Sequence, residues 1–407
     1  MEVVYTSLSN EHADHIDEWL KFSIASKTKQ LILDLTTYSP RRELIKERYK
    51  FPFHFFNDTN NSHLHSLKLS FVSLNKAANF EAFQNLKKLE LVDVNITDEE
   101  LHLLLSNCIV LEFLCISNLE TLRSLRTPYL SKHFKHLLVR CCPLLQEIEL
   151  NSGLTTLEYE GPLILLAPPG TLTHLSVRSS DISSALVYIS TELPSTLPRL
   201  EMLTLRCEEF EKATLPEICP RFIYLRHLRL EITFSSLRKR NADVFDFTPL
   251  LEAAPSMEKL ELHMWMDCPR MRYRKHQGEL RSLPPNPHSH LKLVNITGFY
   301  GQKDQLELVL HILRNSIVLE AMNIDPKPMV AADYMYLSSE HGRSFVEGYK
   351  VAKKYLRKAD HRGVVDLIKV RRRHLENAAA YHLVDPIWIK LLSTVETDPY
   401  RRLNAPC

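Results

Sequence analysis

The chain has 407 residues, of which 44% are apolar and 25% charged; these are ordinary values for a folded protein, and the length allows two or three domains or one repeat array. Nine glycines are about 2% of the chain against a usual ~7%, and with no GxGxxG or GxxxxGKS/T the backbone cradles that hold nucleotide phosphates are not expected. The net charge of +2 (51 minus 49) points to neither nucleic acid nor a membrane, although residues 331–407 carry 14 basic side chains against 9 acidic ones, leaving 37 against 40 for the rest.

The eight cysteines show no CxxC pair and no framework spacing, and they read as reduced, buried small side chains. The opening MEVVYTSLSNEHADH has no basic region followed by an apolar run, and no stretch approaches the ~18 consecutive apolar residues of a membrane span. A cytoplasmic or nuclear location is expected.

In chain order, Ile16, Trp19, Leu20 and Ile24 form a helical stripe from His15 to about Ala25, after which Leu31, Leu33 and Leu35 alternate as a strand. The same unit is clearest from Asn85 to Leu119. Leu89 and Leu91, two apart, point to one buried side; Thr97 and Glu100 have capping-box spacing; Leu101, Leu104 and Leu105 make the apolar face of a helix. Phrases of this kind start at Leu64, Leu86, Leu111, Phe134, Leu145, Leu154, Leu172, Leu200, Leu225, Met257, Leu291 and Leu319. Most intervals suit leucine-rich repeats, which must stack to bury their apolar faces. The expected fold is α/β: an irregular leucine-rich-repeat horseshoe with parallel strands on the concave face and helices on the convex face. Phe134, Leu145 and Leu154 start too close together for helices, so strands joined by tight turns such as Asn151-Ser152-Gly153 are expected there. The repeat asparagine is replaced at most positions, by Val72, Val94 and Leu119 among others, which excludes a regular asparagine ladder.

From Met264 to His290, prolines at 284, 285 and 287 forbid a helix, and Arg270, Arg272, Arg274 and Lys275 flank Tyr273 in what reads as a solvated basic loop. A helical region at 332–358 ends in Lys353, Lys354, Arg357 and Lys358, where cations suit the helix dipole, and a further helix with Arg371–Arg373 is expected within 360–383. The domain reading is 1–27, a helical start; 28–289, divergent repeats; 290–330, a terminal repeat; and 331–407, a basic, partly disordered helical tail.

No GxSxG, HExxH or Cys/His cluster is present, so neither an enzyme nor a cofactor or metal site is expected. Glu147, Glu149, Glu158 and Glu160 are better explained as outward residues of a sheet. The same alternation gives a candidate partner surface on the concave face: Arg140, Glu147, Glu149, Glu158, Glu160, His174, Arg178, Arg206, His227 and Arg229. Acids gather at 145–160 and Arg178, Arg206 and Arg229 follow, a division into zones that would orient a charged protein partner. Reversing those three arginines is expected to weaken capture without unfolding the chain.

HIDEWLKFSIASKTKQLILDL (15–35) resembles the opening of the repeat region in plant F-box/leucine-rich-repeat proteins. HLKLVNITGFYGQKDQLELVLHILRNSIVLEAMNI (290–324) is similar to their FBD motif, and Ala254-Pro255-Ser256-Met257 and Asn107-Cys108-Ile109-Val110 share the cadence. The likeness runs over roughly 11–358. It implies a non-catalytic substrate-recognition module of an F-box-type ubiquitin-ligase receptor. With only ten residues before the repeats begin, docking on the ligase adaptor is not expected of this chain, and a stand-alone scaffold or a competitor for the same partner is the alternative. The partner is a protein in either case.

Overall fold

The computed structural model describes residues 1–4, 12–36, 48–56, 63–74, 83–127, 130, 132–162, 164, 171–179, 182–208, 220–234, 243–266, 272–282, 284–329 and 339–370. The chain divides into two units, Met1–Leu175 and Ser176–Leu403.

The strands of the first unit are β1 (Glu2–Val4), β2 (Gln30–Asp34), β3 (Tyr49–Lys50), β4 (Ser66–Ser70), β5 (Val72–Ser73), β6 (Lys88–Val92), β7 (Phe113–Ser117), β8 (Ser124–Arg126), β9 (His136–Arg140), β10 (Glu147–Glu149) and β11 (Thr156–Gly161). Seven of them form one parallel ladder in the order β1-β2-β4-β6-β7-β9-β11. Leu31, Leu67, Leu89, Leu114, Leu137 and Leu157 are successive partners, and so are Leu33, Leu69, Leu91, Ile116, Val139 and Tyr159. All of these are buried. Alternate strand residues share a face, so the two rows are the core. The Asp98–Asn107 helix adds Leu101, Leu104 and Leu105 to it, and starts at the expected capping box: Thr97 Oγ1 accepts from the Glu100 N–H at 3.2 Å while Glu100 accepts from the Thr97 N–H at 3.0 Å.

Successive repeats leave the sheet through one recurring turn. Phe71, Asp93, Asn118 and Cys141, each the residue after its strand, have φ of 60, 52, 58 and 48°. Their N–H groups donate to Val92, Ser117, Arg140 and Glu160 of the next repeat at 2.8 to 3.0 Å. A backbone ladder one residue before the usual asparagine position thus does the stacking that the sequence assigned to no side chain.

The closely spaced starts resolve into a single repeat. β9 and β11 are direct neighbours, whereas β10 pairs with β8 in a separate two-stranded ladder, Ile148 opposite Leu125. The phrase at Leu145 is therefore the rear portion of the repeat that opens at Phe134, with Ile148 buried. Asn151 closes it, its Oδ1 accepting from the Gly153 N–H at 2.7 Å.

At the division lies β12 (His174–Ser179). The second unit holds β13 (Met202–Glu208), β14 (His227–Phe234), β15 (Lys259–Met266), β16 (Leu293–Thr297), β17 (Ala321–Asp325) and β18 (Val365–Leu367), parallel and adjacent in that order. Its core rows are Leu203, Leu228, Leu260, Val294 and Met322, then Leu205, Leu230, Leu262, Ile296 and Ile324. Both units are α/β leucine-rich-repeat solenoid.

After β16 the chain turns at Gly298-Phe299-Tyr300-Gly301, with φ of 69° and 76° at the glycines. A Cβ on Gly298 would lie 1.8 Å from the Met264 carbonyl oxygen. That close approach seats Phe299 and Tyr300 in the core ahead of the Lys303–Asn315 helix. The proline-rich stretch is exposed along most of its described length, as a solvated loop would be, but it is anchored at Tyr273, Arg281 and His288. It straps across this helix, because Glu307, 1% exposed, needs a cation: Arg281 reaches it at 2.5 Å and Asp243 at 2.7 Å. His288 donates its N–H to the Asn315 carbonyl at 2.8 Å.

Beyond β17 a helix at Ser339–Val351 passes into a π-helical turn, Ala352–Leu356. Where a helix was expected from 360 onward, Val365–Leu367 is a strand. Asp360 accepts the N–H groups of Arg362, Gly363 and Val365 at 3.1, 3.0 and 2.8 Å, and Gly363 has φ 73°, so the chain turns back to the sheet. Arg371–Arg373 lie outside the described residues. Cys108, Cys115, Cys142 and Cys207 are buried and Cys141 half-buried, none of them in a disulfide, while Cys219, Cys268 and Cys407 are also outside the described residues.

Candidate partner-binding face

The strand residues that do not enter the core share the other, open face of each ladder. In the first unit the register sets Lys88, Phe113, His136 and Thr156 side by side, then Glu90, Cys115, Leu138 and Glu158, then Val92, Ser117, Arg140 and Glu160. Lys88 pairs with Glu90 at 2.6 Å and lies 5.0 Å above the Phe113 ring, whose neighbour across the ladder is His136 at 4.9 Å between centroids. His136 Nε2 is 3.0 Å from Glu158, and Arg140 lies 3.6 Å from Glu158 and 3.9 Å from Glu160. Arg140, Glu158 and Glu160 thus come together as one patch. Glu147 and Glu149 do not join it, since β10 belongs to the separate ladder with β8 and their side chains are exposed there. His174 is exposed at the start of β12, 2.8 Å from Thr173 Oγ1, and Arg178 is half-buried on the same strand.

In the second unit one row runs Thr204, Arg229, Glu261, Asn295, Asn323, and the next runs Arg206, Glu231, His263, Thr297, Asp325. Charges alternate across strands. Arg206 reaches Glu231 at 2.9 Å, Arg229 bridges Glu231 at 2.6 Å and Glu261 at 3.3 Å, and Lys259 and His227 reach Glu261 at 2.6 and 3.3 Å. His227, then His263, then Lys259 hold the Glu261 carboxyl well below the usual carboxylate range, against the opposing effect of burial. The network passes into neutral contacts, His263 to Thr297 Oγ1 at 2.9 Å and Asn323 to Asn295 at 2.8 Å.

This corrects the expected basic zone. Arg206 and Arg229 are tied to glutamates of neighbouring strands rather than left for a partner. Glu231 and His263 complete the network and were missed by the sequence reading, although Glu231 follows Arg229 by two and His263 follows Glu261 by two, the spacing of one sheet face. They were overlooked because each lies beyond the core of its repeat phrase, on strands of eight residues that run longer than the phrase itself.

Stacked parallel strands with buried leucine rows and a polar open face define a leucine-rich-repeat protein. Residues 1–369 match the family described as "At1g61320/AtMIF1, LRR domain", and the chain belongs to it. No curated protein matches the chain. Among solved structures, the one titled "Crystal structure of TLR13-ssRNA13 complex" is similar at 16% identity and a TM-score of 0.24, over 73% of this chain and 57% of that one. A likeness of that level bears on neither site nor partner. No helix among the described residues is long and apolar enough to cross a membrane.

Proposed function

We propose that the chain is a non-catalytic interaction module that holds a protein partner on the open face of its sheet, in the manner of the substrate-recognition part of an F-box-type ubiquitin-ligase receptor. The observation that carries this reading is the open face of each unit: side chains from successive strands are fixed in rows by lateral contacts, Lys88, Phe113 and His136 in the first unit and Asn295 and Asn323 in the second. Pre-ordered side chains lose little entropy when a partner arrives. The partner is met in the cytosol or nucleus.

Photo-crosslinking residues at Phe113 and Asn323 test this against the same residues at exposed Leu103 and Ile109, away from the open face. Crosslinks to a protein from an open-face position of either unit and from neither control position are expected; crosslinks from the control positions alone would move the site. Co-elution of the chain with the ligase adaptor on a sizing column separates the receptor reading, which requires it, from a stand-alone scaffold, which does not.

A further inference from the structure

Two basic stretches nearly 80 positions apart in sequence meet in the second unit. Tyr273 donates its N–H to the Gly301 carbonyl at 2.7 Å and its hydroxyl to the Gly278 carbonyl at 3.0 Å, which pins the 272–278 segment to the turn before the Lys303–Asn315 helix. Its ring packs on Tyr355 at 5.5 Å between centroids, and Arg272 forms an ion pair with Glu347. Gly348 lies against the Phe299 carbonyl, so closely that a Cβ there would be 2.0 Å from the oxygen, which locks the helix to the same turn. The cations flanking this junction are Arg274 and Lys275 on the strap and Lys353, Lys354, Arg357 and Lys358 on and after the π-helical turn. All six are exposed, and none makes an ion pair with a described residue. Lys354 Nζ lies 5.2 Å from the Tyr355 centroid, which draws it toward the junction.

We propose that this cluster is a second docking surface, for an acidic segment of a partner protein rich in Asp and Glu. Several features select that partner over other polyanions. Tyr273 is 7% exposed and packs edge-on against Tyr355, so the ring between the strap cations is not offered as a platform for nucleic-acid bases. The whole chain carries a charge of only +2, which gives no field to gather a long phosphate polymer, whereas a short acidic segment needs only a local match. None of the exposed large apolar side chains lies within the strap or the 339–358 helical region, so the apolar wedge that would anchor the cluster in a bilayer is missing among the described residues. The surface is independent of the open-face reading.

The test is fluorescence anisotropy of a labelled Glu/Asp peptide with the full chain, at low and high salt. Lys353→Gln, Lys354→Gln, Arg357→Gln and Lys358→Gln combined should weaken binding about tenfold, since each exposed charge contributes a small amount. Lys21→Gln, Lys27→Gln, Lys29→Gln and Lys87→Gln combined remove the same charge from the first unit and should leave binding nearly unchanged. Replacing Lys353, Lys354 and Lys358 by Arg should preserve it. Circular dichroism confirms that each variant is folded. Equal loss in the two Gln sets, or no binding by the folded wild type, overturns the proposal. So does tighter binding at the same cluster by polyuridylate RNA or by vesicles containing phosphatidylserine, which would assign it to that class instead.

Discussion

Glu231 is 6% exposed and Glu261 9%; Glu231 is held by Arg206 of the preceding strand and Arg229 of its own, and Glu261 by Arg229 of the preceding strand and Lys259 of its own. Removing one member of such a set leaves a buried charge only partly compensated, at a cost of roughly 3 kcal/mol. Arg206→Glu, which adds a carboxylate beside Glu231, is expected to lose at least that much stability in urea unfolding. Arg206→Met with Glu231→Met should cost far less, because both charges go together. A reversal at Arg206 that left the midpoint unchanged would show the pair to be solvated. It follows that reversing Arg206 and Arg229 reports on folding before it reports on binding, contrary to what the sequence suggested. Burial also governs the thiols. It pushes Cys108 up to about 12 and Cys142 up to about 11. At pH 8 neither should react with a thiolate-selective reagent in the native protein, and both should react on unfolding, as mass mapping of the labelled peptides would report.

Elements are fixed by a few backbone contacts whose loss can be measured. Thr97→Ala removes the hydroxyl of a complete capping box and should cost about 1 kcal/mol. The glycine turn before the Lys303–Asn315 helix is less forgiving. Gly298→Ala directs a methyl group into the Met264 carbonyl at a residue with φ 69°, and Gly348→Ala does the same against Phe299 from the helix side. Either should destabilise by at least ~3 kcal/mol, with a fall in melting temperature as the readout. Gly363→Ala has nothing within 4 Å to meet and carries only the strain of its φ of 73°, about 1–2 kcal/mol. A larger loss at Gly363 than at Gly298 would contradict the packing described.

At the scale of the whole molecule, stability should decline in acid in two stages. Burial, and next the neighbouring His311, lower His288 to about 4. Burial also lowers His311, opposed by Glu252 and assisted by Arg314. Unfolded histidines titrate near ~6.5, so between about pH 6.5 and 4 the unfolded chain binds more protons than the folded one. The stabilisation is thus complete above 6.5 and is lost as the pH falls toward 4. Below the ordinary carboxylate range the depressed Glu261 adds a second loss. Urea midpoints measured across this range should fall on acidification, and His288→Phe, which stays neutral, should flatten the first stage. An unchanged slope in that variant would place the titration elsewhere.

The repeat architecture was legible because it is written in local spacing. Leucines two apart make a buried strand face wherever they occur, and Thr97 with Glu100 caps a helix without help from distant residues. Alternation also gave the open-face membership of Arg140, Glu158, Glu160, Arg206, His227 and Arg229. It could not say which strand pairs with which, so the same spacing at Glu147 and Glu149 pointed to the main sheet although β10 pairs with β8. The tertiary structure alone decided that Arg229 lies between Glu231 and Glu261, that Arg281 satisfies Glu307, and that Tyr273 of the strap packs on Tyr355. These are contacts between residues far apart in the chain. Their partners are selected by the stacking register and by the cost of leaving a buried charge alone, neither of which is visible in one repeat by itself.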